Sequence, residues 1–434
     1  MNSENFVLNK ALGLLSPEVG LLTHISKLPT MSADPNLIAY GIWPCNSGVF
    51  GPERFGGRSS GCGISWEHAV LTTLGETVER YCPSLYNLDE SIKSSYQNLN
   101  KPAVHPKDYA LFHEKQYALY REKGYIMYPF TEDLELHWFQ TLDLTTGQES
   151  WCPGAFIYLP WTIEAKWINV NTSTGLAAHS DFYKAILSGL YECIERDSFV
   201  ISWAHELFRE KIVINPPIQS YLDSIFPEPY EWHFFDINYD LETPSVFGIC
   251  FGEADFGKFV AVGTSTRGTY REAMEKVMLE IGQAVSYFRY LLGEKHDWQP
   301  SDNFHELQSF ENHSVFYLKR PDLLHAFDPW RNATPSKVID FDEKNTKSTR
   351  DELNRLLRLF KRKGYNVLAK DLTTPDVRSC GFFATSTFIP QLLQMNGAYP
   401  FYFLGGDRLY EVPRSLGLSD RNYDTLNRFP HPFP

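Results

Sequence analysis

The sequence predicts a mixed α/β fold, in which β-sheets pack against helices that carry glutamate-rich faces. Three segments have apolar residues every three or four positions, as amphipathic helices do, and each has polar residues with glutamate on its opposite face. Between them, runs of β-branched and aromatic residues bounded by turn residues predict strands. With 434 residues, 43% of them hydrophobic, the chain can bury a large core. We expect one domain over residues 1–426, with a polar insertion at about 296–349, and a proline-rich tail at 427–434.

Composition argues against several classes of protein. The net charge is −13, from 40 basic and 53 acidic residues, so nothing favours nucleic acid as a partner. The seven cysteines include no C-x-x-C pair, which leaves zinc-ribbon, thioredoxin-type and iron–sulfur sites unsupported. Their odd number and wide spacing suit reduced thiols in the cytoplasm. The N-terminus lacks the pattern of a signal peptide, and no apolar run has the length of a membrane span.

The N-terminal region, residues 1–64, predicts strands and loops, with short apolar runs at Val19–Ile25 and Leu37–Trp43. A glycine-dense segment, Phe55–Gly63, precedes the first long helix. Such a segment can present backbone N–H groups to an anion, or it can simply form turns. The sequence leaves both interpretations open.

The first long helix is predicted at Trp66–Tyr81, with Ser65 as its N-cap and Pro83 beyond its end. One face of this helix is apolar and faces a core. The opposite face carries a hydroxyl, two carboxylates and a guanidinium, which are Thr72, Glu76, Glu79 and Arg80.

A second helix repeats this pattern. It follows the turn-rich segment Asn171–Gly175, and we expect Ser180 to be its N-cap. Its apolar residues include Ile186 and Leu190. Its polar face carries the same four groups at the same offsets, which are Ser188, Glu192, Glu195 and Arg196. The motif is therefore repeated within the chain, although a single repetition does not indicate a solenoid fold.

The remaining elements alternate along the chain. A third helix is predicted from Thr269 to about Leu292, with Glu280 and Gln283 on its polar face, and a fourth at Thr349–Lys363. The predicted strands are Leu136–Leu142, Trp151–Leu159, Trp167–Asn171, Trp232–Ile237, Ser245–Gly252, Lys258–Thr264, Asn366–Asp371 and Phe382–Ile389. The last residues alternate proline with other residues, so they predict a stiff, extended arm that ends in the Pro434 carboxylate. We expect this tail to enter the active site, because a stiff arm loses little entropy on doing so.

Taken singly, each glutamate-rich helix is most simply a solvated face stabilised by ion pairs such as Glu76 with Arg80. Three such faces that converge would concentrate negative charge, which is unfavourable unless cations are present. Mg²⁺ bridging carboxylates to phosphates would supply them, and Arg80, Arg196 or Arg267 would then meet phosphate oxygens. A structural Ca²⁺ site is the competing interpretation. No pattern of a catalytic serine or cysteine, and no Walker A motif, is present.

These motifs, together with the NTSTGLAAH segment at 171–179, resemble the YcaO superfamily over essentially the whole chain. The two E-x-x-E-R helices and the E-x-x-Q helix stand in the order and spacing of that family. The terminal P-x-P-x-P resembles its azoline-forming members, the cyclodehydratases of thiazole/oxazole-modified peptide biosynthesis.

The resemblance implies a YcaO-type fold and an enzyme that uses ATP and Mg²⁺. In that family a Cys, Ser or Thr side chain of a ribosomally made precursor peptide attacks the preceding backbone amide. ATP phosphorylates the amide oxygen, and phosphate leaves to form thiazoline or oxazoline. By position, Thr72 and Ser188 would support the nucleotide, with Arg267 as a further contact. Glu76, Glu79, Glu192, Glu195 and Glu280 would bind Mg²⁺ and phosphate, beside Gln283.

The resemblance also assigns catalytic roles. Arg80 and Arg196 would orient the carboxylates, and the carboxylate of Pro434 would accept a proton. Cys62 stands where many relatives have lysine, which puts a phosphate contact there in doubt.

Several expectations about partners follow from the resemblance. A separate E1-like or ThiF-like partner would bind the leader peptide, because the chain shows no leader-binding domain. A flavin-dependent azoline dehydrogenase and a homodimeric state are further expectations. Backbone thioamide or amidine formation, or a non-catalytic scaffold in a peptide-modifying complex, are the alternative functions.

Overall fold

The computed structural model describes residues 3–18, 20–46 and 59–433, and the side chains within them from residue 6 onward. The predicted mixed α/β class is confirmed. The helices are α1 (Ser3–Ala11), α2 (Trp66–Tyr81), α3 (Glu114–Lys123), α4 (Phe182–His205), α5 (Pro216–Ile225), α6 (Tyr270–Glu294), α7 (Phe310–Lys319), α8 (Asp328–Arg331), α9 (Thr349–Lys363), α10 (Pro375–Ser379) and α11 (Asp407–Ser415).

The strands form three sheets. They are β1 (Leu22–Lys27), β2 (Ile38–Pro44), β3 (Ser59–Gly63), β4 (Ile92–Ser94), β5 (Leu136–Asp143), β6 (Gln148–Pro153), β7 (Leu176–His179), β8 (Glu210–Ile212), β9 (Glu231–Asp236), β10 (Ser245–Ala254), β11 (Gly257–Thr266), β12 (Pro335–Lys337), β13 (Leu368–Asp371) and β14 (Phe383–Phe388). The first sheet has the order β1-β2-β3, the second β11-β10-β9-β8-β12, and the third β4-β5-β13-β14-β7, with β6 beside β5. All described pairs are antiparallel except β8 with β12.

Three helices join these sheets. Helix α2 packs between β3 of the first sheet and β7 of the third, and α6 packs on β10 and β11 of the second. Helix α4 contacts β7 and β14 on one side and β10 and β11 on the other. Because α4 lies between two sheets, apolar residues all around it are buried, including Ile186, Leu190 and Phe199.

Local signals placed several boundaries correctly. Helix α2 has the predicted bounds, and the Ser65 side chain accepts a hydrogen bond from the N–H of His68 as its N-cap. For α4 the predicted N-cap was wrong. Asp181, not Ser180, accepts from the N–H of Lys184, at 3.0 Å. Ser180 precedes this N-cap, and its hydroxyl lies 3.4 Å from Nδ1 of His179.

Two strand predictions need correction. Trp167–Asn171 forms no strand beyond a single β-bridge at Trp167. Asparagine side chains in this segment hydrogen-bond to backbone groups and hold it as a loop. Asn169 donates to the Ala155 carbonyl at 3.0 Å, and Asn171 accepts from the Trp161 N–H at 2.9 Å. The strand expected at Trp151–Leu159 ends at Pro153 and continues as a 3₁₀ turn. Helix α1 was not predicted.

The polar segment 296–349 contains α7, α8 and β12. Several of its apolar side chains are buried in the core, among them Val315, Phe316, Phe327 and Trp330. In the described part of the chain, no helix has the length and apolar character needed to cross a bilayer.

Candidate functional site

The polar faces of α2, α4 and α6 open onto one cleft of about 980 Å³. Every described residue that the sequence marked as a site residue lines it: Thr72, Glu76, Glu79, Arg80, Ser188, Glu192, Glu195, Arg196, Arg267, Glu280 and Gln283. Pro434 lies outside the described residues, as does most of the glycine-dense segment before Ser59.

The first glutamate of each repeated motif is fixed by a backbone donor from outside its helix. Glu76 accepts a hydrogen bond from the N–H of Ser60 in β3, at 3.3 Å. Glu192 accepts one from the N–H of Gly175, just before β7, at 3.1 Å. Gly175 has φ +85°, and a Cβ there would lie 1.8 Å from the Thr387 carbonyl oxygen. Glycine is therefore required for this donor to reach Glu192.

The second glutamates have different surroundings. Glu195 is 6% exposed and accepts hydrogen bonds from the Thr264 hydroxyl at 3.0 Å and the Thr266 N–H at 3.2 Å. Glu79 forms an ion pair with the adjacent Arg80 at 2.7 Å. Burial raises the pKa of both carboxyls, and neighbouring carboxylates raise it further, with Glu192 acting on Glu79 and Glu280 on Glu195.

Arg196 is held loosely by the carboxylates. Its guanidinium lies 3.5 Å from Glu192 and 3.9 Å from Glu195, both longer than a good charge-assisted hydrogen bond. Its Nη1 contacts the Met395 sulfur at 3.9 Å, and its Cζ lies 4.1 Å from the ring centre of Phe433. Much of its donor capacity is therefore available to an anion in the cleft.

Helix α6 adds a lysine that the sequence did not single out as a site residue. Lys276 forms an ion pair with Glu280 at 3.3 Å, and both line the cleft. Its signal was its place one turn before Glu280 on the same polar face. The amide of Gln283 donates to the Ser60 hydroxyl at 3.1 Å, which ties α6 to β3.

Cys62 lies behind this corner of the cleft. Its thiol donates to the Gln283 side-chain oxygen at 3.5 Å, and burial raises its pKa to about 11. The thiol is therefore uncharged near pH 7, and no ionisation of a thiol could supply the positive charge of a lysine. Lys276, which lies close enough to lower that pKa, provides a cation in this corner instead.

The two hydroxyls of the repeated motif differ. Thr72 donates to the His68 carbonyl of its own helix at 2.9 Å, whereas Ser188 is exposed at the cleft. Lys184 and His179 also line this end of the cleft. His179 caps the turn before α4, since its Nδ1 accepts a hydrogen bond from the N–H of Asp181 at 2.9 Å.

The composition of the cleft fits a magnesium-bound polyphosphate. Carboxylates whose pKa is raised by burial and by one another are stabilised by a bound cation. In the described ranges, no group of three or more His, Cys, Asp or Glu side chains is arranged to hold a metal ion by itself. Mg²⁺ in nucleotide sites usually takes one or two carboxylates and completes its shell with phosphate and water oxygens. Arg80, Arg196, Arg267 and Lys276 are cations that can meet the phosphates.

Comparison with known proteins agrees with this interpretation. The family model described as YcaO cyclodehydratase, ATP- and Mg²⁺-binding, matches residues 60–393. No curated protein matches the chain in sequence.

Solved structures share the fold. A heterocyclase in complex with substrate and cofactor superposes with a TM-score of 0.76 at 21% identity, covering 99% of this chain and 57% of that one. The heterocyclase TruD gives 0.58 at 21% identity, covering 84% of this chain and 50% of that one. YcaO from Methanopyrus kandleri, bound with AMPPCP and Mg²⁺, gives 0.62 at 16% identity, covering 90% of both chains. The chain thus spans about half the length of the two heterocyclases.

Proposed function

Because this chain belongs to the YcaO family, whose cofactors are ATP and Mg²⁺, we propose that it is an ATP-dependent peptide cyclodehydratase. It would convert Cys, Ser or Thr residues of a ribosomally made precursor peptide to thiazoline or oxazoline. The observation that carries the proposal is the convergence of three glutamate-bearing helices, with their arginines, on one cleft.

We propose that the carboxylates bind the metal and that backbone hydrogen bonds orient two of them. Glu76, Glu79, Glu192, Glu195 and Glu280 would hold Mg²⁺ together with phosphate oxygens. The backbone donors at Ser60 and Gly175 keep the first glutamates oriented before any ligand arrives. Thr72, Ser188, Arg267 and Gln283 would contact the nucleotide.

The reaction needs charge neutralisation and positioning more than a covalent enzyme nucleophile. Mg-ATP supplies the phosphoryl group that turns the amide oxygen of the substrate into a leaving group. Arg196 and Arg80 would donate hydrogen bonds to oxygens that gain negative charge, and Arg196 is suited because its ion pairs are long.

We further propose that the enzyme works with a leader-peptide-binding partner of the E1-like or ThiF-like class. Support comes from the fold relatives, since the Escherichia coli microcin synthetase McbBCD complex contains a chain that superposes with a TM-score of 0.53 at 16% identity. A flavin-dependent azoline dehydrogenase and a homodimeric state belong to the same proposal.

The test is mass spectrometry of precursor peptides encoded beside the gene, incubated with this protein, the leader-binding partner and Mg-ATP. Loss of one water per modified residue, with ADP and phosphate released, is expected. The Glu195→Gln variant serves as the control with the largest expected loss of activity. Exchange of an oxygen for sulfur would indicate thioamide formation instead. Unchanged peptide mass with every cognate peptide would contradict the proposal.

A further inference from the structure

The C-terminal arm, residues 427–433, lies along α4 and is hydrogen-bonded to it. Asn427 donates from its backbone N–H to the Ala204 carbonyl at 2.8 Å and from its side chain to the Trp203 carbonyl at 3.1 Å. The indole N–H of Trp203 donates to the Phe429 carbonyl at 2.9 Å. These bonds fix the near end of the arm to the last turn of α4, the helix that carries Arg196.

Helix α7 holds the next residues of the arm. The Tyr317 hydroxyl donates to the Pro430 carbonyl at 2.7 Å, and Nδ1 of His313 donates to the His431 carbonyl at 2.7 Å. The imidazole rings of His313 and His431 stack, with their centroids 4.0 Å apart and their planes inclined by 10°. Burial lowers the pKa of both, that of His313 to about 4, so the stacked rings are neutral near pH 7. Nε2 of His431 donates to the Asn396 carbonyl at 2.8 Å.

The far end of the arm reaches the cleft at Phe433. This side chain is 5% exposed, packs against Phe199 and lies under the guanidinium of Arg196 at 4.1 Å. An aromatic face against one side of a guanidinium is attractive and leaves the N–H groups at the guanidinium edge free. Phe433 thus supports Arg196 where its bonds to Glu192 and Glu195 are weak.

We propose that residues 427–433 form a positioning strap, in which Tyr317 and His313 set the register of the arm and Phe433 holds the Arg196 guanidinium toward the ligand in the cleft. Arg196 is the residue that contacts the anion, and the other three residues act through it. The strap makes α7, which lies in the polar segment 296–349, part of the machinery of the cleft. The inference rests on the proposed function only in taking the anion to be the phosphates of Mg-ATP.

The first experiment measures the affinity of Phe433 variants for AMPPCP with Mg²⁺ by calorimetry. Phe433→Leu keeps an apolar side chain and removes the aromatic face. We expect affinity to fall about threefold to tenfold, the effect of a partly desolvated cation–π contact. Phe433→Tyr keeps the face and should retain most of the affinity. Equal affinities for the Leu variant and the unaltered protein would overturn the proposal.

A double-mutant cycle tests whether the effect passes through Arg196. In an Arg196→Lys background the planar guanidinium is gone, so Phe433→Leu should change affinity by less than about twofold. If the losses of binding free energy were additive, Phe433 would not act through Arg196, and the proposal would be contradicted.

Hydrogen exchange tests the role of α7. Tyr317→Phe removes the donor to Pro430, and we expect faster exchange across 427–433 together with weaker AMPPCP binding. Tyr120→Phe is the matched control, since that buried hydroxyl also donates to a proline carbonyl, that of Pro400, at 3.2 Å and outside the strap. Equal behaviour of the two variants would contradict the strap.

These readouts do not require ring formation. If the unaltered protein binds AMPPCP but modifies no peptide, the proposed function fails while the strap is still tested. If peptides are dehydrated and Phe433→Leu changes nothing, the strap fails and the proposed function stands.

Discussion

Helices α2 and α4 carry the same four polar groups at the same offsets, and both pack between two sheets. Their second glutamates are nevertheless bonded differently. Glu195 of α4 accepts hydrogen bonds from Thr264 and Thr266 of β11. Glu79 of α2 is bonded only to the neighbouring Arg80 among its described hydrogen bonds.

The comparison separates the placement of the carboxylates, which the motif determines, from their hydrogen bonding, which the neighbouring elements determine. Helical spacing alone puts the carboxylates of both helices on one stripe. The strand beside α4 then adds two hydrogen bonds to Glu195, whereas the described hydrogen bond of Glu79 goes to its own neighbour Arg80. We expect Glu195 to be the less replaceable of the two.

The largest effect is expected from Glu195→Gln. The amide can still accept from Thr266 but lacks the charge for Mg²⁺, and groups at a site of developing charge typically contribute about 100-fold or more to turnover. Glu79→Gln should lose less, because no second element holds that carboxylate. ATP turnover as a function of Mg²⁺ measures both, with the exposed Glu122→Gln of α3 as control. Equal losses would remove the distinction between the helices.

The arginines offer a second comparison. Arg196→Lys should reduce turnover about tenfold, since a hydrogen bond to a charged group contributes about 1.5 kcal/mol or more. The lysine also loses the planar contact with Phe433. Arg80→Lys should reduce turnover less, because lysine can still pair with the adjacent Glu79. Steady-state kinetics decide this, and a greater loss at Arg80 would reverse the predicted order.

On acidification, we expect α4 to open before α2. His205 ends α4, is buried, and bonds Ser419 through Nδ1 at 2.9 Å. Burial lowers its pKa from 6.5 to about 4, so between these values the unfolded chain binds a proton that the native protein does not. Stability is therefore lost as pH falls from about 6.5 to about 4. Hydrogen exchange should show the last turn of α4 opening first, and His205→Gln should reduce this pH dependence. Simultaneous opening of both helices would contradict it.

The smallest effects are expected at the N-caps. Asp181→Ala should cost about 1 kcal/mol of unfolding free energy, and Ser65→Ala somewhat less, because only the aspartate adds a charge that interacts with the helix dipole. Chemical denaturation measures both. A larger cost at Ser65 would mean that burial of the helix, rather than its cap, sets the outcome.

Much of the secondary structure follows from local signals. The bounds of α2 and α9 are those predicted, since each begins at a serine N-cap and ends at proline or glycine. The cap of α4 was missed by one residue, because two adjacent polar residues compete for that position. Trp167–Asn171 has the composition of a strand, yet the hydrogen bonds of Asn169 and Asn171 hold it as a loop.

The residues that line the cleft could be predicted from the sequence, but their convergence from three helices could not. The repeated motif identified the glutamates and arginines of α2 and α4. Lys276 was visible on the polar face of α6, but an ion pair with Glu280 is also what an exposed helix shows. Thr264 and Thr266 carried no signal, because a threonine in a strand is ordinary.

The sequence by itself determined the long helices α2, α4 and α6 and their polar stripes, since helical periodicity and caps act over a few residues. Only the tertiary structure decided that three stripes meet in one cleft, that β11 buries Glu195, and that α7 holds the arm so that Phe433 supports Arg196. Those outcomes depend on contacts between residues far apart in the chain, such as Tyr317 with Pro430, whose pairing no local pattern specifies.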